Sequence, residues 1–187
     1  GVWERMIGMT RKVLDSKMYE SRHKPLTHET LTTFMSEVAA ILNNRPLTPV
    51  STDPSFPMVL RPAMLLTGKT DILMEASSDI VDKDAFKAQW KRVQVLADTF
   101  WRIWCRDYLH LLQTRKKWHK SYPNLKVGDV VLLKDVSSHR NDWPLGVIDN
   151  AIKSDDGKVR KVEIRVIKNG KTVKFVRPVC ETVMLIA

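Results

Sequence analysis

Glu4, Gly8 and Arg11 are the first residues whose types and spacing suit a chemical step. On a helix, positions i, i+4 and i+7 share one face, so a carboxylate, a gap and a cation would stand in a row. Arg11 would lie about 10 Å along the axis from Glu4. A carboxylate with a downstream cation suits a metal-bound phosphodiester, and Gly8 permits close approach of a ligand backbone. Spacing alone favours a plainer reading, in which Glu4 complements the positive end of the helix dipole.

Other seats for catalysis are scarce. The chain has no Gly-rich phosphate loop, no G-x-S-x-G elbow, no H-E-x-x-H metal helix and no paired carboxylates on one helical face. His23, His28, His110, His119 and His139 share no spacing and read as surface or helix-end residues. Cys105 and Cys180 match no ligand pattern and read as reduced, intracellular, structural thiols. Trp143, Phe175 and Tyr122 are the rings from which a methyl-lysine cage would be built. Such a cage needs several converging rings, so Trp143 reads as packing instead.

Charge points elsewhere. The 187 residues hold 31 Lys+Arg and 21 Asp+Glu, a net +10. Residues 1–83 carry 10 of each sign, residues 84–114 carry 5 against 3, and residues 115–187 carry 16 against 8. The excess therefore belongs to the last stretch, which is the part expected to meet a polyanion, most commonly nucleic acid. With 43% hydrophobic and 28% charged residues, the chain is neither a disordered tail nor a membrane protein, and no run approaches a spanning length. It has no initiator Met and no visible secretory leader, and its opening in mid-pattern reads as a fragment.

The elements that must position these residues follow from periodicity. Trp3, Met6, Ile7, Val13, Leu14 and Met18 predict a helix over 3–18. Thr27 as N-cap, Glu29 in the first turn and an apolar stripe from Leu31 to Leu42 predict a second, stopped at Asn43-Asn44-Arg45-Pro46. Five prolines punctuate a connector over 46–82, with a short helical turn expected at 62–66.

Phe86, Trp90, Val93, Ala97, Phe100, Trp104, Tyr108 and Leu111 step close to every 3.5 residues. They predict one helix over 84–118, roughly 45 to 50 Å long, with a narrow aromatic seam whose apolar surface Trp101, Ile103 and Leu109 broaden. That seam must pack within the chain, the preferred reading, or on a second copy, which would make a homo-oligomer through the long helix.

Beyond it the period changes. Runs at 127–133, 145–151, 159–167, 172–177 and 179–185, with turns at Asp155-Asp156-Gly157 and Asn169-Gly170, predict five short antiparallel strands closing into a small barrel. A barrel this size binds on its surface. Alternation puts Lys161, Glu163 and Arg165 on one side of a strand and Val162, Ile164 and Val166 on the other. The cations spread over these strands and turns, and so the DNA-binding candidates, are Lys126, Lys134, Arg140, Lys158, Arg160, Lys161, Arg165, Lys168, Lys171, Lys174 and Arg177.

GVWERMIGMTRKVL followed by LTHETLTTFMSEVAAILNNRPLT resembles the end of the integrase catalytic core of Pao/Bel-type LTR retrotransposons. LRPAMLLTG, WKRVQVLADTFWRIWCRDYLHLLQTRKKW, VGDVVLL, RNDWPLGVI, DGKVRKVEIRV and RPV resemble, in order, the domain that follows that core. The resemblance covers essentially the whole chain. It implies an RNase H-like core with an Asp-Asp-Glu triad holding Mg²⁺, in which Glu4 is the third acid and a metal ligand, and Arg11 contacts element-end DNA. The two aspartates would lie upstream of Gly1, and one carboxylate cannot hold two metals, so this chain alone is expected to be inactive and to need no cofactor.

The expected architecture is α+β. Residues 1–48 form a truncated RNase H-like helical remnant, 49–83 a Pro-rich connector, 84–120 a long linker helix and 121–187 an SH3-like five-stranded barrel. The implied role is DNA binding and assembly in integration, in the nucleus after passage through the cytoplasm, without a small-molecule substrate. The alternative is a non-enzymatic chromatin or protein-interaction module, a domesticated remnant.

Overall fold

A computed structural model describes residues 2–20, 26–50, 58–69, 84–112, 124–134, 139–168 and 171–185. In chain order the elements are α1 (Val2–Glu20), α2 (His28–Asn43), β1 (Thr48–Pro49), β2 (Val59–Leu60), α3 (Pro62–Thr67), α4 (Asp84–Leu112), β3 (Val130–Leu133), β4 (Leu145–Lys153), β5 (Val159–Lys168), β6 (Lys171–Pro178), a 3₁₀ turn (Val179–Glu181) and β7 (Thr182–Met184). They fall into two compact units that are not consecutive segments. One comprises Gly1–Asn44 and Ala63–Asp107, the other Arg45–Pro62 and Tyr108–Ala187.

In the first unit α2 starts where its cap dictates. The Thr27 hydroxyl oxygen accepts from Thr30 N–H at 3.2 Å, and Asn44 N–H donates back to Ala40 O at 3.0 Å. Phe34, Val38 and Ile41 are buried at helical spacing, whereas Met35 is exposed. Helix α4 buries Val93, Ala97, Phe100, Trp101, Trp104, Cys105, Tyr108 and Leu109, while Trp90 and Leu111 near its ends are exposed. This is a broad stripe of the kind a core helix shows, wider than a coiled-coil seam. Phe100 and Trp104 stack with centroids 6.2 Å apart. Burial pushes the Cys105 thiol up to about 12, which keeps it protonated and inert. Residues 113–118, the expected end of this helix, lie outside the described residues, as does the side chain of Phe86.

The second unit takes in part of the Pro-rich connector. Thr48 pairs with Leu60 and Pro49 with Val59, extended by Leu47 N–H to Leu60 O and Val50 N–H to Met58 O, both 2.8 Å. Tyr108 donates its hydroxyl to Pro46 O at 2.7 Å and sets its ring edge against Trp143, with centroids 5.6 Å apart. The Tyr108 phenol is pushed up to about 12 by this burial, partly offset by Arg45. A buried hydroxyl and a buried carbonyl satisfy each other here, which ties Pro46 to Tyr108.

All five expected strands form, in the antiparallel order β6-β5-β4-β3-β7. Val131, Ile148, Val159, Val162, Ile164 and Val166 make the core, flanked by Leu133, Phe175 and Val179. Gly146 sets the approach of β4 to β5: a Cβ there would overlap Ile164 Cγ2 and stand 3.2 Å from Arg165 O. The expected closed barrel is corrected to an open sheet. Its edges are β6 and β7, and no ladder joins them among the described residues. A three-residue 3₁₀ turn carries the chain from one edge to the other, roughly 6 Å of rise, so the sheet must coil until two corners meet. β7 pairs with β3, and β6 ends at Pro178, which has no N–H to extend a ladder.

Candidate nucleic-acid interface

Strand β5 separates core from solvent as its alternation predicts over 162–166: Val162, Ile164 and Val166 are buried, with Glu163 and Arg165 turned outward. Strict alternation fails just before this run. Ile152 pairs with Lys161 and Lys153 with Val159, which leaves Arg160 without a partner in the ladder. This β-bulge puts Val159 into the core beside Val162 and turns the two cations between them, Arg160 and Lys161, outward together. A second bulge lies in β4. Ile148 pairs with Ile164 and Asn150 with Glu163, so Asp149 is the extra residue, turned outward beside Asn150.

The β4 bulge has an electrostatic consequence. Arg165 of β5 and Lys174 of β6 are cross-strand partners, and like charges so placed repel. The Asp149 carboxylate meets both, with Oδ1 3.1 Å from Arg165 Nε and Oδ2 3.0 Å from Lys174 Nζ, and Glu163 lies 3.8 Å from Lys174. Hydrogen bonding from Lys174, then the charges of Arg165 and Lys174, hold Asp149 below the usual carboxylate range against its desolvation. Asp149, and then Glu163, raise Lys174 in turn. Two cations and two acids cancel at the centre of the outer face.

The hairpin joining β4 to β5 is different. Gly157 adopts φ +74° and donates its N–H to Ser154 O at 2.8 Å, and Ser154 N–H donates to Lys158 O at 2.9 Å. Asn124 clamps the turn from outside: its amide donates to Gly157 O at 3.0 Å and its oxygen accepts from Val159 N–H at 3.2 Å. Asp156 accepts from Lys158 N–H and binds Arg160 at 2.7 Å, contacts that hold its carboxyl below the usual range.

The expected cations thus divide. Arg160, Arg165, Lys174 and Arg177 are ion-paired, Arg177 with Glu181 at 3.8 Å and over the Phe175 ring at 5.8 Å. Lys134 is half-buried and donates to Cys180 O at 2.7 Å. Arg140 is half-buried in the segment leading to Trp143. Lys126, Lys158, Lys161 and Lys171 are exposed and form no ion pair among the described residues. Of Lys168 only the backbone is described, opposite Lys171, while Asn169 and Gly170 lie outside the described residues. Sequence reasoning missed Lys153, exposed at the end of β4. It also missed that Asp149 consumes two of the candidates. The signal was present: two apolar residues three apart inside a strand run, as in Ile148–Ala151 and Val159–Val162, mark a bulge.

Glu4, Gly8 and Arg11 are all exposed on α1, and nothing stands within 4 Å of a Cβ built on Gly8. Among the described residues no group of three or more His, Cys, Asp or Glu gathers for a metal. One carboxylate does not fit a two-Mg²⁺ centre, so no metal-dependent step is assigned to these residues. The cage reading is also set aside: Trp143 is 4% exposed and packs on Tyr108, and Tyr122 lies outside the described residues. No described helix is long and apolar enough to cross a membrane.

A family model described as a family of unknown function (DUF5641) matches residues 88–185, from within α4 to the end of the sheet. No curated protein and no solved structure matches the chain.

Proposed function

The chain belongs to the family of unknown function DUF5641, matched over 98 of its 187 residues, and we propose that it is an integrase-derived module that binds DNA and supports assembly during retrotransposon integration. The observation that carries this reading is the placement of the positive charge. Residues 115–187 hold 16 basic against 8 acidic residues, and their sheet buries one face while lysines stand solvated on the rest. Polyanion binding needs that arrangement and no enclosed site. The blocks that resemble Pao/Bel-type integrases supply the context: DNA as partner and the nucleus as the place of action.

The finer fold assignments belong to the same reading. A last strand that returns beside the first after a 3₁₀ turn supports an SH3-like relationship for the sheet. The RNase H-like origin of α1 and α2 rests on the resemblance. Glu4 then serves as the third acid only in a longer chain that supplies two aspartates, with Arg11 against DNA phosphate; alone, residues 1–187 carry out no strand transfer. A second copy docking along α4 is the less favoured mode of assembly, because the middle of that helix is already buried within the chain.

Fluorescence anisotropy on a labelled duplex tests the reading. With about four phosphate contacts, affinity should fall about 10²-fold between 50 and 200 mM salt. One observation favours a protein-interaction module instead: the outer face is neutralised around Asp149, and Ile152, Ile167 and Val176 are exposed on it. Duplex binding that is absent, or unmoved by salt, would decide for that alternative.

A further inference from the structure

We infer that the β4–β5 hairpin, and not the broad outer face of the sheet, is the surface that holds the DNA backbone, with Lys153, Lys158 and Lys161 as its phosphate contacts and Arg160 held beside them by Asp156. This rests on the DNA-binding reading and names the contact set within it. Three observations combine.

The first is the β5 bulge. A regular strand would send Arg160 and Lys161 to opposite faces, one of them into the core. The bulge costs the strand a ladder partner and places both cations in solvent, side by side. The second is rigidity. Two backbone hydrogen bonds inside the turn and two more from the Asn124 side chain fix the loop that presents Lys158. A pre-set loop loses little conformational entropy when it meets a phosphate.

The third is the charge balance. Residues 153–161 carry four cations against Asp155 and Asp156, a net +2, and Asp156 is already engaged with Lys158 N–H and Arg160. At the centre of the outer face Arg165 and Lys174 are cancelled by Asp149 and Glu163, a net 0. A phosphate arriving there would have to displace a carboxylate that already holds both cations.

The test is the slope of log affinity against log salt for the 187-residue chain on a duplex. Lys153→Gln, Lys158→Gln and Lys161→Gln together remove three exposed ammonium groups that form no ion pair in the described structure. The slope should fall by about 2.7, and affinity at 0.1 M salt should drop on the order of 10²-fold, equally for unrelated duplex sequences. Lys158→Gln alone, on the exposed turn, should give about a third of that slope change and guards against misfolding of the triple variant. Lys171→Gln, at the far end of β6, should leave the slope unchanged.

A wild-type chain that ignores DNA would sink both this inference and the reading beneath it. A wild type that binds, with the triple variant keeping its slope and Lys171→Gln losing one contact, would overturn the hairpin assignment alone. Preference for an RNA duplex of the same sequence would overturn DNA as the occupant.

Discussion

The centre of the outer sheet face and the β4–β5 hairpin are built from the same residue types, yet their charges meet different fates. Each is shaped by a one-residue bulge. In β4 the extra residue is Asp149, which is turned onto Arg165 and Lys174 and consumes them. In β5 the extra residue is Arg160, which takes up Asp156 of its own turn and leaves Lys161 turned outward without an ion pair among the described residues. A count of lysines and arginines treats the two regions alike. What separates them is the sign of the residue that each bulge turns outward, and only the hairpin keeps charge for a partner.

The largest effect is expected from removing the backbone approach on which both regions depend. Gly146→Ala places a methyl against the fully buried Ile164 and should cost about 3 kcal/mol in urea unfolding, taking network and hairpin down together. Next is Tyr108→Phe, which leaves Pro46 O without its buried donor. A loss of about 1 to 2 kcal/mol by the same measurement is expected, with the salt slope of DNA binding unchanged because neither charged region is touched. Thr27→Ala removes the α2 cap and should cost about 1 kcal/mol, again with no effect on DNA.

Asp149→Asn sharpens the contrast most finely. It frees Arg165 while Glu163 still faces Lys174, so duplex affinity should rise by at most about tenfold and thermal stability should fall slightly through cross-strand repulsion. Because the Asp149 carboxyl is held low, its contribution is complete at neutral pH, where the unfolded carboxylate is ionised as well. The contribution fades as the pH falls below about 4 through the lower folded value. An acid titration of wild type should therefore show a loss of stability that Asp149→Asn lacks.

Local signals made much of this legible in the sequence. The Thr27 cap, the stop before Pro46 and the five strand runs depend on neighbouring residues, and each appears where its own chemistry requires. Non-local features were not legible. Pro46 and Tyr108 are 62 residues apart, so nothing nearby in the chain marks part of the connector as core of the second unit. The broadening of the α4 seam was partly legible: Trp101 and Leu109 were readable as apolar residues beside it, whereas the burial of Cys105 was not. Barrel closure failed for a reason that composition does not carry, the pairing of the last strand with β3 alone among the described residues. The bulges lie between these cases: the three-residue apolar spacing was readable, but which carboxylate it would aim at which cation was not.

The most direct test of the account is a titration of the chain with a short duplex, followed by backbone amide chemical shifts. Saturable perturbations concentrated on residues 153–161 and the adjoining 124–126 are predicted, fading as salt is raised. Perturbations centred on 163–167 and 172–176 instead, or none anywhere at low salt, would contradict it.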